Sequence, residues 1–184
     1  MLARMSDGTY RLGSIGGLQL SLLPSAIVGS LALWALLSAA GIWLLGLSAG
    51  AALLGGLIAV LLHWFSDIVH HFGHAWAARR TGYPMTGISL WGVLGSSVYP
   101  QDEPPLPAMV HIRRALGGPI ASLLLTVVAS LIALALRPVG GLLGWVALFF
   151  FLENLFVFTL QVFIPLSFND GGTLLYWLRR KMTR

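Results

Sequence analysis

Four apolar segments, at roughly 25 to 46, 50 to 78, 118 to 136 and 142 to 164, dominate the chain, and each is long enough to cross a hydrocarbon core about 30 Å thick as a helix. Inside a bilayer every backbone N–H and C=O of such a segment must find its partner within the segment, so α-helices are the expected form. A mean hydropathy of +0.85 with only 9% charged residues points to a multi-pass integral membrane protein. The 184 residues leave room for one domain, spanning 1–184. The expected fold class is an all-α membrane protein, a bundle of about four transmembrane helices with a small β-hairpin or sheet at the cytosolic membrane boundary.

The short link "GLSAG" predicts that the first two helices pair as an antiparallel hairpin. Between the second and third, about 82 to 104, glycine, proline and short alternating pieces such as "GISLWGVLGSSVY" predict a β-hairpin followed by a proline-rich turn. "YRLGSIGGLQLSLLPS" alternates similarly and is expected to add a strand. The tail, about 171 to 182, reads as an interfacial helix with aromatic and basic anchors.

With both termini on one side, Arg4, Arg11, Arg79, Arg80, Arg113, Arg114, Arg179, Arg180, Lys181 and Arg184 fall together and Arg137 lies opposite. The bias of basic loops toward the cytosol then puts both termini inside, and a bacterial cytoplasmic membrane is the expected location. Charges at the ends of apolar segments are explained by this orientation, so nucleic acid is not an expected partner. The first residues lack the apolar core of a cleavable signal peptide. With no cysteine in the chain, thiolate ligands and cysteine nucleophiles are excluded, and any metal must be held by histidine and carboxylate.

Four of the five histidines lie between positions 63 and 74. His63, Asp67, His70 and His74 follow an i, i+4, i+7, i+11 pattern that keeps them within about 60° of one another on a helix, whereas His71 is turned by about 100° from His70. Each ionisable group in hydrocarbon costs about 2.5 to 3.5 kcal/mol on insertion scales, so the cluster requires partners. His70 and His74, one turn apart, have the spacing with which two imidazoles meet one tetrahedral metal. Histidines packed against neighbouring helices and bonded to carbonyls, or serving as axial ligands to haem, are the alternatives. Asp170 returns to the same membrane side after four crossings, as a third ligand, a cap for the tail helix, or both. Asp67 is a possible acceptor fixing a histidine tautomer, and Glu153 is expected to pair with His63.

The motifs and their order resemble the site-2 protease family of intramembrane zinc metalloproteases. "HHFGHAWAARR" is similar to its HExGHxxxAR form except at position 71. "PLSFNDGG" matches a second motif in Pro165, Asp170, Gly171 and Gly172, and "RRALGGPIASLLL" and "IGGLQLSLLPS" look like the start of the following helix and the opening strand. The resemblance implies Zn2+ held by His70, His74 and Asp170, and cleavage of membrane-embedded helices near the cytosolic face. It also implies a proton-transferring glutamate, where this chain has His71; Asp67 and Glu153 are the alternative carboxylates. Asn154 and Gln161 are candidates for substrate binding, because the family's asparagine before the proline falls on Val162. Two functions follow: a metallopeptidase acting on a transmembrane helix, or a non-catalytic relative serving as metal-binding scaffold, assembly factor or regulatory subunit for a partner protein.

Overall fold

The computed structural model describes residues 3–4 and 8–182; Arg184, counted above among the basic residues, lies outside them. The elements, in order, are β1 Ala3–Arg4, β2 Tyr10–Ile15, β3 Leu18–Leu22, α1 Pro24–Trp43, α2 Ala49–Arg80, β4 Gly87–Trp91, β5 Leu94–Val98, α3 Ala108–Leu136, α4 Gly141–Glu153 and α5 Asp170–Met182. Among the described residues four stretches are long and apolar enough to cross a membrane: α1, α2, α3 and the run Gly141–Phe163.

Pro24 opens α1 where its missing N–H costs nothing, and Ser48 caps α2 by accepting from the Ala51 N–H. At 32 residues α2 is about 48 Å long, well beyond the hydrocarbon thickness, so its arginine-bearing end reaches past the apolar layer. Gly73 on α2 and Gly117 on α3 bring the two backbones together. A Cβ on either would strike the carbonyl oxygen of the other, and only glycine allows that approach.

Helix α3 begins at Ala108, about ten residues before the apolar run suggests. The extra turns carry His111, Arg113 and Arg114, which a hydropathy reading assigns to a loop. Arg114 is nevertheless buried, because its guanidinium meets Glu103 through two bonds of 2.5 and 3.0 Å, donates to the Tyr83 carbonyl at 2.6 Å, and lies over the Tyr99 ring. The fourth crossing also departs from a single regular helix. After Glu153 it widens into a π-turn over Asn154–Thr159 and tightens into a 3₁₀ turn over Leu160–Phe163. Such irregular backbone is tolerated at membrane depth when neighbouring helices bond it, as Thr126 does with Thr159 at 3.0 Å.

The five strands form one sheet in chain order, antiparallel except where β3 runs parallel to β4. The stretch from Tyr10 to Leu22 supplies two strands, β2 and β3, rather than one. Leu18, Ile88 and Leu90 of the sheet pack with Ala26, Ala75 and Ala78 of α1 and α2, which seats the sheet on the arginine-bearing end of the bundle.

The Arg114 bonds hold the Glu103 carboxyl below its usual range. A depressed folded value adds stability that is complete above the unfolded value near 4.3 and lost as pH falls through the folded one. Glu103→Gln should therefore lower stability by about 2 kcal/mol at pH 7, with the difference closing as pH falls through the depressed folded value in thermal unfolding of detergent-solubilised protein.

Candidate metal centre

His70 and His74 project from α2 toward α3 at the level of the Gly73–Gly117 contact, and both rings are buried. His74 Nδ1 lies 2.8 Å from the Arg114 carbonyl. A carbonyl only accepts, so Nδ1 carries the proton and Nε2 keeps its lone pair; the longer approach of the Gly118 N–H to the same nitrogen, 3.3 Å, does not compete. His70 Nδ1 meets the Ser122 hydroxyl at 2.9 Å; with Nδ1 donating to that oxygen, its Nε2 is equally available. The two Nε2 atoms face each other at 3.0 Å. Gly118 leaves the space they occupy, since a Cβ there would overlap both rings.

Asp170, the first residue of α5, brings its carboxylate to both: Oδ2 is 3.1 Å from His70 Nε2 and Oδ1 is 3.4 Å from His74 Nε2. The residues around it explain the DGG run. Asn169 accepts from the Gly172 N–H at 2.9 Å and donates to the carbonyls of Gln161 and Ile164, tying the start of α5 to the preceding loop. Gly171 and Gly172 pass so close to the carbonyls of Val162, Ile164 and Leu166 that side chains there would collide. Burial works against the charge on Asp170, but the two imidazoles outweigh it and hold the carboxyl well below its usual range.

The three residues fit a divalent metal. Their donor atoms all lie within 4.8 Å of one another. Tetrahedral coordination at about 2.0 to 2.1 Å separates two donors by roughly 3.3 Å, close to the three spacings observed here. With Nδ1 protonated in both rings, two lone pairs aimed at each other beside a carboxylate repel unless a metal ion or a proton lies between them, and each ring is fixed from behind as metal-ligating histidines are.

His71 occupies the neighbouring position. Its Nδ1 donates to the Asp67 carbonyl at 2.8 Å, leaving Nε2 with a lone pair, and its ring centre is 5.5 Å from that of His70 and 5.6 Å from that of His74. A cavity of about 470 Å³ opens over the cluster, lined among others by Asp67, His71, Ser96, Tyr99, Gln161 and Phe168. Burial pushes the Tyr99 phenol up, against the pull of the nearby Arg114 cation. A second cavity of about 200 Å³ between α1, α2 and α4 is lined by residues without an ionisable group, so the chemistry belongs to the first.

Three sequence expectations need correction. Glu153 is not available to this centre: its Oε1 is 2.7 Å from His63 Nδ1, in the pairing also expected from the sequence. Asn154 is fully buried, donating to Ser66 and the Phe150 carbonyl, and does not line the cavity. The Asp67 carboxylate accepts from the Gly95 N–H at 3.1 Å, while its backbone carbonyl, not its carboxylate, fixes the tautomer of His71. Gln161 does reach the site, donating to Asp170 Oδ2 at 2.7 Å. Ser122 and the Arg114 carbonyl were not foreseen. Ser122 lies one turn beyond the glycine of "GGP", a spacing that could have marked it; a backbone acceptor leaves no sequence signal.

No protein-family model and no curated protein matches this chain. Among solved structures it is similar to the Site-2 Protease from Methanocaldococcus jannaschii, at 21% identity and a TM-score of 0.64, over 94% of this chain and 72% of that one. The chain has a site-2 protease fold. Within that fold the two buried histidines near the end of the second crossing meet half-buried Asp170, the first residue of the helix after the fourth.

His70→Ala and His74→Ala should each abolish tight binding of a divalent metal, and Ser122→Ala should weaken it about 10-fold, as measured by competition with a chromophoric chelator.

Proposed function

We propose that this chain is a member of the site-2 protease family: an intramembrane metallopeptidase in which His70, His74 and Asp170 hold zinc and a membrane-embedded helix is cut near the cytosolic face. The observation that carries the reading is the convergence of two imidazole lone pairs and one carboxylate from motifs about a hundred residues apart. The chemistry supplied by bound zinc is Lewis-acid polarisation of a carbonyl and acidification of water. Everything else falls to the chain's own side chains. His71 has its Nδ1 proton anchored at the Asp67 carbonyl, so Nε2 is the nitrogen that takes up a proton at the cavity and returns it to a leaving amine. Residues of α2, α3 and β5 line the cavity, and the arginine-bearing end of α2 sets the orientation, with both termini in the cytosol.

One observation favours a second reading, a non-catalytic relative that retains the metal and binds a helix as scaffold, assembly factor or regulatory subunit. His71 brings no negative charge to the site, and the carboxylate nearest its Nδ1, that of Asp67, is 3.6 Å away and engaged by Gly95.

Cleavage assays in liposomes against a panel of single-span helices, with zinc-loaded protein, separate the two. For the peptidase, the natural chain cuts and both His71→Ala and His70→Ala reduce turnover at least 100-fold. A natural chain that binds zinc without cutting, while His71→Glu cuts, assigns the non-catalytic function.

A further inference from the structure

The polar face of α2 continues beyond the metal centre toward its N-terminal end. His63 lies seven residues before His70, about 10 Å along the helix, among apolar neighbours. Its two ring nitrogens each meet an oxygen: Nδ1 is 2.7 Å from Glu153 Oε1, and Nε2 is 2.8 Å from the carbonyl of Val93. Because the carbonyl only accepts, Nε2 donates to it, and Nδ1 shares a proton with the carboxyl of Glu153. Val93 belongs to the tight turn between β4 and β5, where Gly92 takes φ of +54°. One helical turn nearer the metal centre, Asp67 Oδ1 accepts from the N–H of Gly95.

The two anchors therefore grip the hairpin at residues 93 and 95 from helix positions 63 and 67. Four residues of helix rise about 6 Å and two residues of extended chain about 6.6 Å, so the spacings are comparable and both bonds form, at 2.8 and 3.1 Å. Gly95 lets the strand lie flat on the helix, since a Cβ would come within 2.6 Å of the His71 ring. Among the described residues β5 is a sheet edge, bonded only to β4, and Leu94 to Ser97 form one wall of the cavity over His70, His71, His74 and Asp170.

We propose that His63 and Asp67, with Glu153 behind His63, are positioning residues that fix the depth and register of β5 against the metal centre. The face of α2 thus divides into a metal-holding end and a hairpin-holding end. The importance of this wall rests on the reading of the cavity as the catalytic site, but its attachment does not, and the two are measured separately.

The chain has no cysteine, so nitroxide labels can be placed at the exposed Val93→Cys and Leu124→Cys positions in lipid nanodiscs. Pulsed electron resonance then reads the hairpin-to-α3 distance, and cobalt titration reads the metal centre. A narrow distance distribution is expected for the natural partners and for Asp67→Asn, which keeps the acceptor; His63→Leu and Asp67→Leu should broaden it at least two-fold. Cobalt affinity should change less than three-fold in all of them. An unchanged distribution in both leucine variants overturns the proposal. So does a parallel loss of cobalt affinity in both, which would make these residues general packing elements. If the natural chain binds no cobalt, the metallopeptidase reading fails, while the distance distributions still decide the attachment of the hairpin.

Discussion

A face of histidine and aspartate on a helix inside an apolar bundle is the constraint on which the remaining structure turns. Each such group facing lipid would cost several kcal/mol, and a half-satisfied polar network is worse than none. The bundle gives each residue of the face a partner: His63 has Glu153 and the Val93 carbonyl, Asp67 has the Gly95 N–H, His70 has Ser122, His71 has a backbone carbonyl, and His74 has the carbonyl of Arg114, while the second carboxylate oxygens of Asp67 and Glu153 are buried without one. At the cavity floor His70 Nε2, His74 Nε2 and the carboxylate of Asp170 converge, with Nε2 of His71 beside them. Satisfying the rest of the face is what leaves that set so well defined.

The partners arrive through unusual backbone. Two glycines let α2 and α3 touch, which carries Ser122 and the Arg114 carbonyl to the backs of the histidine rings. Two more at the start of α5 let the loop after the fourth crossing fold tightly enough to deliver Asp170. The π-turn lets the same crossing present Glu153 and Asn154 to α2 yet turn Gln161 toward Asp170. None of these devices adds chemistry. They set distances, and a metal centre depends on distances of tenths of an ångström.

Much of this was legible in the sequence because it rests on period and length. The four crossings follow from hydropathy, the shared face of positions 63, 67, 70 and 74 from the 100° rotation per residue, and the pairing of His63 with Glu153 from their common depth. The boundaries of α3 were not legible, since Arg114 is apolar in its surroundings only through Glu103 and Tyr99, residues that no local window includes. Asn154 misled for a related reason. An asparagine on a predicted helix looks available for a ligand, and only the packed structure shows Ser66 opposite it. The role of the Asp67 and Arg114 carbonyls could not be read at all, because every residue has one.

X-ray absorption at the zinc edge of the loaded protein tests the central claim most directly. The account predicts a four-coordinate shell with scattering from two imidazoles and at least one carboxylate oxygen, at about 2.0 to 2.2 Å. A shell with one imidazole or none would contradict it.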